Sequence, residues 1–405
     1  MPTISAGAER FSRRLPQSLE ENALARAVAA RRAAGLPFFD LTESNPTRTG
    51  LAWPAQELLD ALAQPGALEY QPEPLGLLSA REAVARYFLE SRQARVDPSR
   101  ILLTASTSEA YALLFKLLCD PSDLVLIPAP SYPLFAMLSS LEAVQTRDYP
   151  LRWDGEWHLD LPALELRVAG LARASGPRLR AILVVSPGNP TGAFLKGEEH
   201  ARLCDLCARY QLSLISDEVF ADYPSSSEIP PRVLSTAAID SPALSFTLSG
   251  LSKVCALPQL KLGWCAVTGP ESLVSHAMQR LELIADTFLS VATPVQLALP
   301  QLLARRRPLQ ERIRARCARN RARLAAARPA DATWDLLASE GGWSAVLRIP
   351  ESRGEEEIAL ALLERGVLVQ PGYFYEFARG SYLVVSLLPE EIPFAEAARI
   401  LAAAL

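Results

Sequence analysis

From about residue 100 the chain repeats one unit: a short continuous apolar run, a turn of small or polar residues, then a helical pattern. "ILLT" precedes "STSEAYALLFKLLC", "LVLIP" precedes "SYPLFAMLSSL", and "AILVVS" precedes "GEEHARLCDLCARY". "LSLIS", "LSFTLS" and "WCAVTG" follow. Strands that are apolar throughout, rather than at every second position, are buried on both faces, and strands alternating with helices build a parallel sheet covered on both sides. This predicts an α/β chain with a mostly parallel central sheet covered by helices. A length of 405 residues exceeds one ordinary core, so a second, smaller domain is expected. The repeating part suggests a large domain at residues 46–285. A helical stretch follows from Thr293 to Ala327, then "GGWSAVLRIP", helix "EEEIALALLERG", strands "VLVQPG" and "YLVVSLL", and a last helix from Glu390. Residues 286–405, joined by 1–45, read as a smaller α+β domain. Within 1–45, Ser18 and Glu21 form a capping-box pattern and Gly35 is a helix stop.

In open parallel sheets, ligands bind beyond the carboxyl ends of the strands. The residues that follow the apolar runs are "ASTSEA", "PAPSYP", "SPGNPTG", "SDEVF" and "SGLSK". Ser106, Thr107 and Ser108 offer hydroxyls and free N–H groups at a helix start, which suits a phosphate dianion, although an ordinary N-cap cluster reads the same way. Asp217 is an acid at a strand end. Asn189 stands in a Gly/Pro turn, and Tyr132 gives an aromatic face at a third turn. Lys253 lies among small and apolar residues, where a buried amine must be paired or lose its proton. Taken singly, each has a structural explanation. Together they suit a phosphorylated pyridine aldehyde: a lysine to condense with the aldehyde, a helix start for the phosphate, an aspartate for the ring nitrogen.

Other classes are disfavoured. The charge of −4 is spread along the chain, and the basic run Ala304–Arg323 reads as a solvated helix face, so no nucleic-acid partner is expected. Cys204 and Cys207 form a C-x2-C within a helical pattern, without a second Cys/His pair nearby, and no metal site is expected. The N-terminus lacks a continuous apolar stretch, and no apolar run reaches membrane-spanning length, so a cytoplasmic, membrane-free protein is expected.

The order of these motifs, from "SNPT" through "NPTG", "DEVF" and "SKVCALPQLKLGW" to the C-terminal strand, resembles the class I/II aminotransferases, the fold type I enzymes that use pyridoxal 5′-phosphate (PLP). The similarity covers nearly the whole chain. It implies Lys253 as the Schiff-base residue and proton carrier, Asp217 on the pyridine nitrogen, Asn189 on the ring oxygen and Tyr132 on the ring face. It implies Ser106, Thr107, Ser108, Ser252 and Lys261 near the phosphate. It further implies Tyr70, in "YQPEPLG", reaching the phosphate of a partner subunit, hence a homodimer with shared sites. The implied reaction moves an amino group from an amino donor to a 2-oxo acid by way of pyridoxamine phosphate. The same cofactor and fold would also serve a lyase, decarboxylase or racemase, and a non-catalytic PLP-binding module is a more remote reading.

Two positions depart from the family. Phe220 stands where a tyrosine usually donates to the ring oxygen, which predicts a raised Schiff-base pKa. Val384 stands where an arginine usually grips the substrate carboxylate. Arg48 and Arg379 are candidates to replace it.

Overall fold

In the computed structural model, the described residues are 11–16, 19–226 and 232–405. Among them the repeating units build one eight-stranded sheet. Strand β1 (Phe39–Asp40) lies outside it, pairing with β12 (Val367–Leu368). The sheet comprises β2 (Ile101–Thr104), β3 (Leu124–Ala129), β4 (Gln145–Trp153), β5 (Trp157–Leu159), β6 (Leu179–Val185), β7 (Ser213–Asp217), β8 (Ser245–Gly250) and β9 (Gly263–Thr268), in the order β2-β9-β8-β7-β6-β3-β4-β5. From β8 to β4 every pairing is parallel. β9 runs antiparallel to both neighbours, so β2 again points the same way as β8. The carboxyl ends of β2, β3, β6, β7 and β8 therefore share one edge. The hairpin β4–β5 is not visible as an apolar run, because "QTRDYPLRW" is half exposed at the rim.

Every residue of β2, β3, β7 and β8 is buried. One face is covered by the helices Thr107–Leu118 and Glu271–Phe288, the other by Leu161–Arg173 and Gly197–Tyr210. Two-sided burial is the reason these strands read as unbroken apolar runs. Cys204 and Cys207 face this second core from the helix Gly197–Tyr210, with burial pushing both thiols up.

The smaller sheet has the order β10-β11-β14-β13, from β10 (Asp335–Leu336), β11 (Ser344–Ile349), β13 (Gln370–Pro371) and β14 (Ser381–Ser386), all antiparallel. The helices Arg307–Ala327, Glu355–Glu364 and Glu391–Ala404 pack on it. Leu309, Ile313, Cys317, Asn320 and Leu324 make the buried stripe of the first of these, and Arg312, Arg314 and Arg319 lie on its exposed faces. Arg306, just before the helix, is instead buried against Ser91 and Glu90, so the basic run is not wholly a solvated face.

The helical stretch 293–327 is two helices. Thr293–Ala304 ends at Arg305, and Arg307–Ala327 begins with Pro308 in its first turn, a position proline tolerates while it stops a preceding helix. Thr293–Ala304, beyond residue 285, packs on the helices Ala55–Leu62 and Leu78–Arg92 through Val295, Leu299 and Leu302. The first helix starts at Ala23, where Asn22 Oδ1 accepts from Ala25 N–H at 2.7 Å; Ser18 lies outside the described residues. Gly35 ends that helix with φ +67°. Among the described residues no helix is long and apolar enough to cross a membrane.

Candidate active site

The shared strand edge and the smaller sheet enclose a cavity of about 260 Å³. Lys253 sits in it on the short helix Leu251–Val254, directly after β8. Its carbonyl accepts a hydrogen bond from Tyr223 Oη at 2.5 Å, which anchors the turn. Its ammonium stands 5.2 Å from the Phe220 ring centre and 4.7 Å from the Trp343 ring centre. Burial drives the Lys253 pKa down to about 8, against the opposing pull of Asp217.

Asp217 is the last residue of β7 and is 6% exposed. Oδ2 accepts from Tyr111 Oη at 2.8 Å and Oδ1 from Val219 N–H at 3.1 Å. Burial raises its pKa, and these two bonds pull it back in part. No ion pair among the described residues joins Asp217 to any cation. Glu218 points away from the cavity, accepting from Thr236 N–H at 2.8 Å and Thr236 Oγ1 at 3.0 Å. Strand alternation thus separates two adjacent acids, one toward the cavity and one into the fold.

At the start of the helix Thr107–Leu118, Ser106 Oγ accepts from Glu109 N–H at 3.1 Å and Glu109 reaches back to Ala105 N–H at 2.6 Å. Ser106 is thereby used as the cap. Thr107 and Ser108 line the cavity, and among the described residues neither their N–H groups nor their hydroxyls have a partner. A side chain at Gly263 would sit 3.1 Å from the Thr107 nitrogen, and one at Gly250 would sit 2.9 Å from Gly263 Cα. The bare backbone at Gly263 lets this helix start come close to β9, and that at Gly250 lets the end of β8 approach the start of β9.

Asn189 lines the cavity with its amide unpaired among the described residues, and Tyr132 and Ser252 line it as well. Lys261 does not: it is exposed, in the left-handed conformation at φ +53°. Tyr70 is 79% exposed and lies apart from the cavity. Arg48 and Arg379 are exposed and do not line it either; Arg48 pairs loosely with Glu43 at 3.8 Å. Tyr111, Tyr223, Trp343, Ser344, Gln370, Tyr375 and Ser386 escape motif reading. Only Tyr111 had a local signal, lying one helical turn after Thr107 on the same face.

These residues fit PLP. A buried carboxylate with no cation paired to it suits a ring N–H⁺, unpaired helix-start donors suit a phosphate, and a half-buried amine of lowered pKa suits the aldehyde. A larger groove of about 790 Å³ lies on the other side of Ser344, along the helix Arg307–Ala327, and holds none of this set.

Comparison with known proteins gives the family and the fold. The chain is 31% identical over 286 residues to an alanine aminotransferase of Mycobacterium tuberculosis, covering 70% of this chain and 64% of that protein. It is 25% identical over 276 residues to the glutamate-pyruvate aminotransferase AlaA of Escherichia coli, covering 66% and 64%. The match thus spans less than two thirds of these relatives. The solved alanine aminotransferase from Pyrococcus furiosus superposes with a TM-score of 0.83 at 22% identity, over 97% of this chain and 99% of that one, which establishes the fold. Residues 38–390 match the family described as aminotransferase class I and II, and the chain belongs to that family.

Proposed function

We propose that this chain is a PLP-dependent aminotransferase that moves an amino group from an amino acid to a 2-oxo acid. One observation carries the reading: Asp217, buried, and Lys253, half-buried, line the same cavity on adjacent strand ends, yet are not neutralised as an ion pair. Keeping both unpaired in a protein interior is costly unless a ligand completes each of them.

When bound, PLP supplies an aldehyde for an amine and a ring that accepts electrons from the substrate carbon. Lys253 has the lowered pKa that makes its amine nucleophilic near neutrality. Displaced by the donor amine, it becomes the base that takes the α-proton and the acid that returns it. Asp217, held by Tyr111, would hold the ring nitrogen and keep it protonated. Thr107 and Ser108 would hold the phosphate end, with Ser106 fixing the helix start and Ser252 lining the same cavity. Asn189 would donate to the ring oxygen, and Tyr132 would cover the ring. Trp343 and Phe220 exclude water from the lysine. We further propose a homodimer, in which Tyr70 extends to the partner's phosphate. Its exposure, together with that of Leu68 and Phe288, leaves a surface that a second copy would cover.

The test is a single-turnover absorbance scan of the yellow holoprotein with common L-amino acids, D-alanine and simple amines, without oxo acid. Loss of the yellow band with release of one equivalent of 2-oxo acid is the expected result. A persistent band with pyruvate and ammonia accumulating would replace this reading with a lyase. A relative named S-alkyl-thiohydroximate lyase SUR1, from Arabidopsis thaliana, is 28% identical over 230 residues, covering 56% of this chain and 48% of that protein.

A further inference from the structure

Three polar groups of the smaller sheet face the cavity and have no part in holding the cofactor: Gln370, Ser344 and Ser386. The strand register brings them together. Gln370 lies opposite Val384, and Ser344 opposite Ser386. Directly opposed residues present their side chains to the same face, and residues two apart on one strand share that face. All three groups therefore surround Val384, the position where a substrate-binding arginine was expected. Val384 is 1% exposed and packs with Trp157, Val346 and Tyr375.

Gln370 is held in one orientation. Tyr375 Oη donates to Oε1, so the two N–H donors of Nε2 are left free, and among the described residues nothing accepts from them. Ser386 Oγ accepts from Leu388 N–H at 3.2 Å and keeps its own proton to donate. The Ser344 hydroxyl has no partner among the described residues. Among the described residues the one cation lining the cavity is Lys253, which the proposed function assigns to the cofactor.

We propose that Gln370, Ser344 and Ser386 hold the α-carboxylate end of the amino donor by neutral hydrogen bonds, so that the site discriminates little between a carboxylate and an uncharged amide or alcohol in its place. The proposal rests on the reading that this cavity binds an amino donor. A guanidinium rewards a carboxylate with charge as well as geometry. An amide and two hydroxyls supply geometry alone, while the carboxylate loses more hydration on entering than an amide or alcohol does. Gln370 is the binding residue, and Tyr375 is a positioning residue acting through it.

The experiment measures equilibrium binding to the cofactor-loaded protein, by the absorbance change of the cofactor, for four amines with the same quaternary carbon: 2-aminoisobutyrate, its amide, 2-amino-2-methylpropanol and tert-butylamine. None has an α-hydrogen, so binding is read without proton transfer, and each amine's own ionisation is taken into account. The expected result is dissociation constants within about tenfold for the acid, amide and alcohol, with tert-butylamine about tenfold weaker or more. Gln370→Leu weakens the first three about tenfold and leaves tert-butylamine where it was. Tyr375→Phe gives a smaller loss on the same three, which disappears in the Gln370→Leu background. A preference of about a hundredfold or more for the acid over the amide would overturn the proposal, since it requires a cation. Equal binding of all four, or a Gln370→Leu variant with unchanged ratios, would overturn it too. Failure of the aminotransferase reading shows separately, as L-amino acids that bind without releasing oxo acid.

Discussion

An amine with a pKa near 8 is a reagent that ordinary pH can switch. Because burial lowers the pKa of Lys253, its neutral form predominates above about pH 8, where an exposed lysine is still charged. We expect the rate at which the apoprotein couples to PLP to rise with pH, with a midpoint near 8, and to flatten above it. Stopped-flow absorbance against pH measures this, and a rate still climbing with a midpoint near that of free lysine would contradict it. The sign for stability follows from the same shift. The charged form is disfavoured in the folded state, so the apoprotein gains stability from this group as pH rises from about 8 toward the unfolded value, and Lys253→Met flattens that slope.

Phe220 is the second residue-scale test. Its ring lies against the Lys253 ammonium with no hydroxyl to offer the cofactor's ring oxygen. Phe220→Tyr is expected to lower the spectroscopic pKa of the lysine–cofactor linkage by about one to two units, the worth of one hydrogen bond to a charged group. A pH titration showing no shift, or a rise, would refute it.

At the scale of elements, the turn after β7 has to stay rigid for Asp217 and Phe220 to face the cavity. It is pinned from behind by Arg92 at the end of the helix Leu78–Arg92. Arg92 Nη2 lies 3.1 Å from Asp222 Oδ2 and 2.7 Å from Tyr87 Oη, and Tyr87 Oη donates to the same Asp222 oxygen at 2.8 Å. Arg92 and Asp222 are both buried. Burial opposes the charge on Arg92, but Asp222 and Tyr87 hold its pKa above the usual value. Arg92→Met strands the Asp222 carboxylate, at a cost of about 3–5 kcal/mol. Urea unfolding of the apoprotein measures this. Arg92→Met with Asp222→Leu should recover much of the loss, because no buried charge is then left unpaired.

At the scale of the whole molecule, the cavity depends on both sheets. The eight-stranded sheet supplies Lys253, Asp217 and Asn189, and the smaller one supplies Trp343, Ser344, Gln370 and Ser386. The chain also leaves Leu68 at 92%, Tyr70 at 79% and Phe288 at 53% exposure. Sedimentation of the holoprotein is expected to give a dimer at micromolar concentration. Tyr70→Phe in that dimer is expected to weaken PLP retention about tenfold, the loss of one hydrogen bond to a phosphate. A monomer that retains PLP fully would exclude the shared site.

The parallel sheet and the strand edge where the cavity lies were legible because each is written locally. Two-sided burial makes a strand apolar along its whole length, and the turn beyond it must carry small or polar residues whatever the rest of the chain does. Lys253, Asp217, Asn189, Thr107 and Ser108 could be found in this way, since each stands within a few residues of a strand end. The hairpin β4–β5 was not, because a half-exposed rim strand has no continuous apolar signature. Nor was the start of the first helix, where Asn22 rather than a residue further back makes the cap. What only the tertiary structure decided is everything that depends on distance across the fold. Ser106 is used by its own helix, and Arg48, Arg379 and Lys261 lie away from the cavity. Tyr111 holds Asp217 across 106 positions of sequence, and Gln370 meets the place of the missing arginine only through the pairing of β13 with β14. A sequence specifies which groups stand at strand ends by local patterning. Which of them face one another is set by strand register and domain packing, and neither is encoded within any single stretch.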